Sequence, residues 1–264
     1  MAIALRSLRK IYQAETRAEL EKYAGQPESL LLPEHIAYLP EPFRKYITYC
    51  GYLGRERHVS ASIKWKDVMF RTGPEQNWMH VDYEQFNAVP EPVRMAYIHS
   101  AMMGVLPFEG YDKYKDGHGS MQIRLLKLLQ VADYSGPEMD ASALVTVLSE
   151  CAFLPAYALQ AYVSWKTVIG QAARGQLHYN NITVEGTFYF SNEGLFERFE
   201  TNDRYLALEG SAYKKVPWSV TVSCYQEIDA LKYPSYATAT WHLPEGDYDY
   251  FKGTVDEVQF NLAP

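Results

Sequence analysis

The strongest constraint on this chain is a period-two pattern that begins near residue 57 and recurs to the C-terminus. Val216, Trp218, Val220, Val222, Cys224 and Ile228 share one parity, while Ser219, Thr221, Ser223 and Glu227 share the other. Successive strand side chains point to opposite faces, so this stretch reads as a strand with one buried and one wet face. His58, Ser60, Ser62 and Lys64 alternate in the same way with Val59, Ala61, Ile63 and Trp65. Trp78–Phe86, Val93–Met103 and Met121–Val131 are further extended candidates. Gly73-Pro74, Pro90-Glu91-Pro92 and Gly117-His118-Gly119 punctuate them. Ile182–Phe190, the turn Ser191–Gly194 and Leu195–Glu200 form a hairpin pattern, and Tyr236–Leu243 and Val255–Leu262 repeat the strand habit. With 22 Tyr, 11 Phe and 5 Trp, the aromatic content agrees, because aromatic side chains favour strands.

Three segments depart from this pattern. Residues 3–23 read as an amphipathic helix, with Ile3, Leu8, Ile11, Tyr12 and Leu20 on one stripe and Glu15, Arg17, Glu19 and Glu21 opposite. A proline-punctuated linker follows over 26–42, then a short helix with Phe43, Tyr46, Ile47 and Cys50 on one face and Gly51 as its stop. Near the middle, Asp140 is a good N-cap for a helix over 140–153, with Leu144, Leu148 and Cys151 on one face and Pro155 limiting it. The expected organisation is an N-terminal helix (1–26), a linker with a short helix (27–56) and one curved-sheet domain (57–264). The expected fold is mainly β with α: a large curved antiparallel sheet, a half-barrel of about nine to eleven strands, wrapped around the inserted helix.

Charge and motif content exclude several functions. The net charge is −7 and no run of Lys or Arg exceeds a pair, so nucleic acid and anionic membrane surfaces are not expected partners. No apolar run reaches the length of a transmembrane helix. Cys50, Cys151 and Cys224 are widely separated and odd in number, which suits a reducing, cytoplasmic setting. The seven histidines show no HxH, HxxxH or HExxH spacing, so no metal site is expected. Asp112-x-x-x-Asp116-Gly117 lacks the closing glutamate of a calcium loop, with Ile123 in that place. No nucleophile elbow, dinucleotide motif or P-loop occurs. Cys151 and Cys224 both read as core thiols. No catalytic residue and no cofactor is assigned.

The order Gly117-x-Gly119, Glu150, Pro155, Trp165, Asn192-x-Gly194, Arg204, Pro217-Trp218, Tyr225, Pro234, Trp241, Gly246 and Tyr250 resembles a bacterial family of unknown function. The resemblance runs from about Pro40 to Leu262 and carries no catalytic signature. Members of that family often begin with transmembrane helices, whereas this chain begins with a charged amphipathic one. The strand plan also resembles the half-barrel of the lipoprotein-localisation carriers, an architecture that implies an apolar cavity.

Six residues are candidate ligand contacts: Glu150, Trp165, Tyr179, Arg204, Tyr225 and Trp241. Aromatic rings give a pocket large apolar area with a polar tip. Glu150 falls near a helix C-terminus, where a carboxylate opposes the dipole. Pairing with Arg204 would account for it, as a salt bridge or as a polar anchor for a ligand head group. Trp218 and Tyr225 have opposite parity and should face opposite sides of the sheet unless a bulge intervenes. Met102, Met103 and Met121 add adaptable apolar surface. The leading reading is a protein that binds an apolar or amphipathic small molecule, lipid-like, in the cavity between sheet and helix. An enzyme using Glu150 and a histidine such as His178 is one alternative. A scaffold that pairs into a homo-oligomer through its N-terminal helix is another.

Overall fold

The computed structural model describes residues 7–25, 29–102, 106–126, 128–167, 170–207 and 213–264. Three helices come first: α1 (Leu8–Tyr23), α2 (Pro33–Ile36) and α3 (Glu41–Tyr49). Six strands follow: β1 (Ser60–Phe70), β2 (Met79–Ala88), β3 (Val93–Met102), β4 (Leu106–Lys115), β5 (His118–Leu125) and β6 (Leu129–Ser135). Helix α4 (Pro137–Ser149) continues into 3-10 turns at Glu150–Ala152 and Pro155–Leu159. Then come β7 (Val163–Thr167), β8 (Ala172–Tyr179), β9 (Ile182–Phe190), β10 (Phe196–Thr201), β11 (Tyr205–Ala207) and β12 (Tyr213–Lys215). The chain closes with β13 (Trp218–Ile228), β14 (Leu231–Leu243) and β15 (Gly246–Phe260).

Thirteen strands form one antiparallel sheet in the order β6-β5-β4-β3-β2-β1-β15-β14-β13-β10-β9-β8-β7, and β11 and β12 pair separately. This is the half-barrel expected from the alternation, with more strands than the pattern suggested. One of the additional strands has a local cause, while β4, β7 and β8 fall outside the segments read as extended. The stretch 121–131, read as one extended segment, is divided into β5 and β6, with Leu126 and Leu128 in turn conformation between them. The turn expected at Gly117-His118-Gly119 is instead the two-residue Asp116-Gly117, with φ of 52° and 83°, and His118 already pairs with Lys115. Asp-Gly is the residue pair that such a left-handed hairpin turn selects.

The face carrying α4 is the inner one. Against β8–β10 it is solidly packed: Leu144 and Leu148 of α4 meet Phe188 and Phe199, all fully buried. Phe43 and Tyr46 of α3 complete this cluster, with Phe43 5.6 Å from the Phe188 ring. The segment read as a linker contributes Leu31, Ile36 and Leu39 to the same core. Helix α4 starts one turn earlier than expected, with Gly136 as N-cap and Pro137 in its first turn. Asp140 instead accepts a hydrogen bond from the Gly119 amide at 2.7 Å, tying the helix to β5.

Two register shifts, at Val222/Cys224 and Cys224/Tyr225, correct the parity reading of β13. The bulge turns Cys224 out to solvent, and Tyr225 packs onto the same core as Trp218. Helix α1 lies on the outer face. Leu8 and Tyr12 are buried there against Phe86, Met95, Tyr97 and Tyr111. Lys113 bonds Glu15 at 2.8 Å, and Lys115 bonds Glu19.

Candidate functional site

A buried polar cluster lies where α4 ends over β2–β4. Glu150 caps α4 and is buried. Arg94 donates from Nε to Glu150 Oε1 at 2.7 Å, while Gln85 and Asn87 donate to Glu150 Oε2 at 2.9 and 2.5 Å. Gln85 Nε2 also donates to Asn87 Oδ1 at 2.8 Å, and Asn87 Nδ2 to the Tyr157 hydroxyl at 3.1 Å. The remaining Arg94 nitrogens serve Asp112, at 2.7 Å, and the Tyr83 hydroxyl. Burial holds the Glu150 carboxyl above the ordinary carboxylate range, and Arg94, Asn87 and Gln85 offset only part of that rise. Glu150 and Arg204, whose pairing the sequence left open, do not pair: Arg204 bonds Ser142 and Thr146 of α4 instead. The helix end brings Glu150 to β3, and Arg94 supplies the charge. Arg94, Gln85 and Asn87 escaped the sequence reading, and Asp112 entered it only in the calcium-loop comparison. The available signal was polar side chains at core parity on three consecutive strands.

Strand register places this cluster on a graded inner face. Under α4, Asn87, Arg94, Tyr114 and Gly119 form one row across β2–β5. Next come Gln85, Ala96, Asp112, Met121 and Tyr134, and then Tyr83, Ile98, Gly110, Ile123 and Ala132. The row farthest from the helix is Ser100, Phe108, Leu125 and Leu129. Burial falls along this series. Asn87 is 0% exposed and Arg94 6%, whereas Met121, Ile123, Phe108 and Leu125 are half-buried and Leu129 is 60% exposed. A Cβ on Gly110 would meet Met121, Ile98 and Phe108 at 3.4–3.6 Å, ordinary contact distances. The wing β2–β6 thus presents an apolar inner face, here called the trough, where Phe108 and Met121 pack on buried Tyr83, Ala96 and Ile98 and burial increases toward Asp112, Arg94 and Glu150. The ligand cavity was expected between sheet and helix, and over β8–β10 that space is filled by phenylalanine rings.

The six predicted contacts do not converge. Arg204 and Trp241 meet: the guanidinium lies 4.3 Å from the Trp218 ring and 5.6 Å from that of Trp241, and bonds Ser142 O at 3.2 Å and Thr146 Oγ1. Trp165 sits against Phe43 at 4.6 Å and donates to Ala158 O. Tyr179 rests on Tyr162 and Tyr114. Tyr225 donates to Phe196 O at 2.8 Å. His178 is exposed on β8 and bonded to Thr183 at 2.7 Å, so it shares no acid–base site with buried Glu150. Met121 lines the trough, while Met103 and the Met102 side chain lie outside the described residues.

A separate groove of about 410 Å³ opens beside β8–β10. Its charges neutralise one another, Arg198 bonding Glu200 at 2.5 Å and Arg174 bonding Glu185. It reads as a solvated ion-pair surface. Among the described residues, no three His, Cys, Asp or Glu side chains are grouped to hold a metal, and no helix is long and apolar enough to cross a membrane.

A profile described as a family of unknown function (DUF6544) matches residues 30–253. The chain belongs to this family. The match takes in α2 through most of β15 and therefore the whole trough. No curated protein matches the chain. Among solved structures, a domain described as an outer membrane lipoprotein-sorting protein from Vibrio parahaemolyticus is 11% identical with a TM-score of 0.42, covering 94% of this chain and 93% of its own. A LolA superfamily protein from Nitrosomonas europaea is 9% identical with a TM-score of 0.45, covering 84% and 93%. A DUF1329 family protein from Desulfovibrio piger is also 9% identical with a TM-score of 0.44, covering 89% and 95%.

Proposed function

We propose that this chain binds an apolar or amphipathic small molecule along the inner face of β2–β6. The apolar part would lie over Ile98, Phe108, Met121 and Leu125, with a polar end toward Asp112. The observation that carries this reading is the group of half-buried side chains Phe108, Met121, Ile123 and Leu125 beside buried Ile98. Concave apolar surface next to a few fixed polar groups is the usual make-up of a small-molecule site. The saturated hydrogen bonding of Glu150 supports a binding role over an acid–base one, since its oxygens already serve Arg94, Gln85 and Asn87. Three free thiols, two of them buried, support a cytoplasmic setting.

Native mass spectrometry of the full chain tests the idea. Mass above 30.3 kDa that organic extraction removes is expected. Gly110→Leu, which adds bulk beside Met121, Ile98 and Phe108, should lose that mass, and an unchanged melting curve checks that the fold is kept. A bare chain that also fails to take up a fluorescent fatty acid would overturn the reading.

A further inference from the structure

The tip of the β5–β6 hairpin carries a concentration of exposed aliphatic side chains. Leu126 is 50% exposed, Leu128 70%, Leu129 60% and Val131 50%. The other exposed large apolar side chains among the described residues are Leu30, Leu32, Tyr38, Tyr49 and Tyr189, and no four of them fall within six residues of one another as these do. Two backbone features sharpen the observation. Leu126 has φ of 53°, a left-handed conformation that a bulky L-residue resists and that glycine or asparagine would adopt freely. Val131 is the unpaired residue of a bulge, since Ile123 faces Ala132 and Arg124 faces Gln130. Position 126 thus holds an aliphatic residue at a conformational cost that burial in this chain does not offset.

We infer that this tip inserts into the interface of a lipid bilayer. Four arguments select lipid over a protein partner. The tip is aliphatic, whereas protein hot spots are enriched in Trp, Tyr and Arg and poor in Leu and Val. Hydrocarbon rewards each buried methylene without requiring a shaped pocket. Residues 117–132 contain no carboxylate, although the chain as a whole carries −7, so the tip does not repel anionic head groups. Finally, Leu129 pairs with Leu125 and Leu125 with Phe108, so the tip runs into the outermost row of the trough without a polar break. The expectation that the negative net charge excludes membrane surfaces averaged over this local exception. Docking is independent of whether the trough holds a ligand.

Flotation of the full chain with phosphatidylcholine vesicles containing a minor fraction of phosphatidylglycerol tests the inference. The parent chain should float. Each buried methylene multiplies partitioning about fourfold, so Leu128→Ser with Leu129→Ser should weaken binding about tenfold or more while the melting curve stays in place. Leu128→Trp should show a blue-shifted emission on vesicles and quenching by brominated acyl chains. Gly110→Leu should float like the parent, which separates loss of ligand from loss of docking. Failure of the parent to float overturns the inference, and so does equal binding by the double serine variant. A dimer in sedimentation that the serine substitutions dissociate would reassign the tip to a protein interface.

Discussion

Arg94 donates through three nitrogens to three groups on three elements: Glu150 at the end of α4, Asp112 on β4 and Tyr83 on β2. Removing one member of such a buried set strands the others without water, which typically costs about 3–5 kcal/mol. Arg94→Met should therefore lower unfolding free energy in urea by about that amount, whereas Arg17→Met, at an exposed pair on α1, should change it by under about 1 kcal/mol. His58 gives a second residue-scale prediction. Its ring stacks on Phe260 at 3.7 Å. Burial, with the Arg55 charge in addition, holds its pKa at about 4 against an ordinary 6.5. The unfolded chain then takes up a proton near pH 6.5 while the folded chain does not until near 4, so stability falls as pH drops through that window. The loss should reach at most about 3 kcal/mol. His58→Phe should flatten denaturation midpoints between those two pH values, and an unchanged slope would show that another group controls it.

At the scale of elements, Gly119 fixes how closely α4 approaches β5. A Cβ there would lie 2.3 Å from Met139 O, so even alanine forces helix and strand apart. Gly119→Ala should cost about 1–3 kcal/mol, measured against Gly25→Ala, where nothing lies within 4 Å but the positive φ adds its own small strain. Gly119 stood among the landmarks of the sequence reading, yet its role there was a turn. What the sequence made legible was local. Alternation revealed the sheet, Leu144, Leu148 and Cys151 revealed α4, and Ser191–Gly194 revealed the β9–β10 turn. What stayed hidden depends on events that leave little local trace. The bulge at Cys224 reverses parity by a single residue, turning a core thiol outward and Tyr225 inward. The partner of Glu150 is set by which strand passes beneath the end of α4, and Arg94 and Arg204 cannot be told apart by spacing. The proline-rich segment 29–42 resembles a linker because prolines punctuate it, although Leu31, Ile36 and Leu39 anchor it in the core.

At the scale of the molecule, the sheet divides into two unequal parts. On β8–β10 and β13, the inner face is closed by α3 and α4, and Phe188, Phe196, Phe199 and Trp218 are at most 2% exposed. On β3–β6, the outer face is covered by α1 over β3 and β4 while the inner face opens progressively to Leu129. Local opening free energies follow buried apolar contact, so these two parts should not exchange amide hydrogens alike. Protection should be highest in β9, β10 and β13 and fall from β3 through β5 to β6, the sheet edge with its exposed Leu129 and Val131. A ligand in the trough binds only the folded wing and stabilises it by mass action. Adding a fatty acid should therefore slow exchange in β3–β6 and leave β9 and β10 unchanged, as followed by hydrogen–deuterium exchange mass spectrometry. Protection that instead rises in β13 and β14, around Arg204, Trp218 and Trp241, would move the site to the Arg204–Trp241 contact and leave the trough as an unliganded surface.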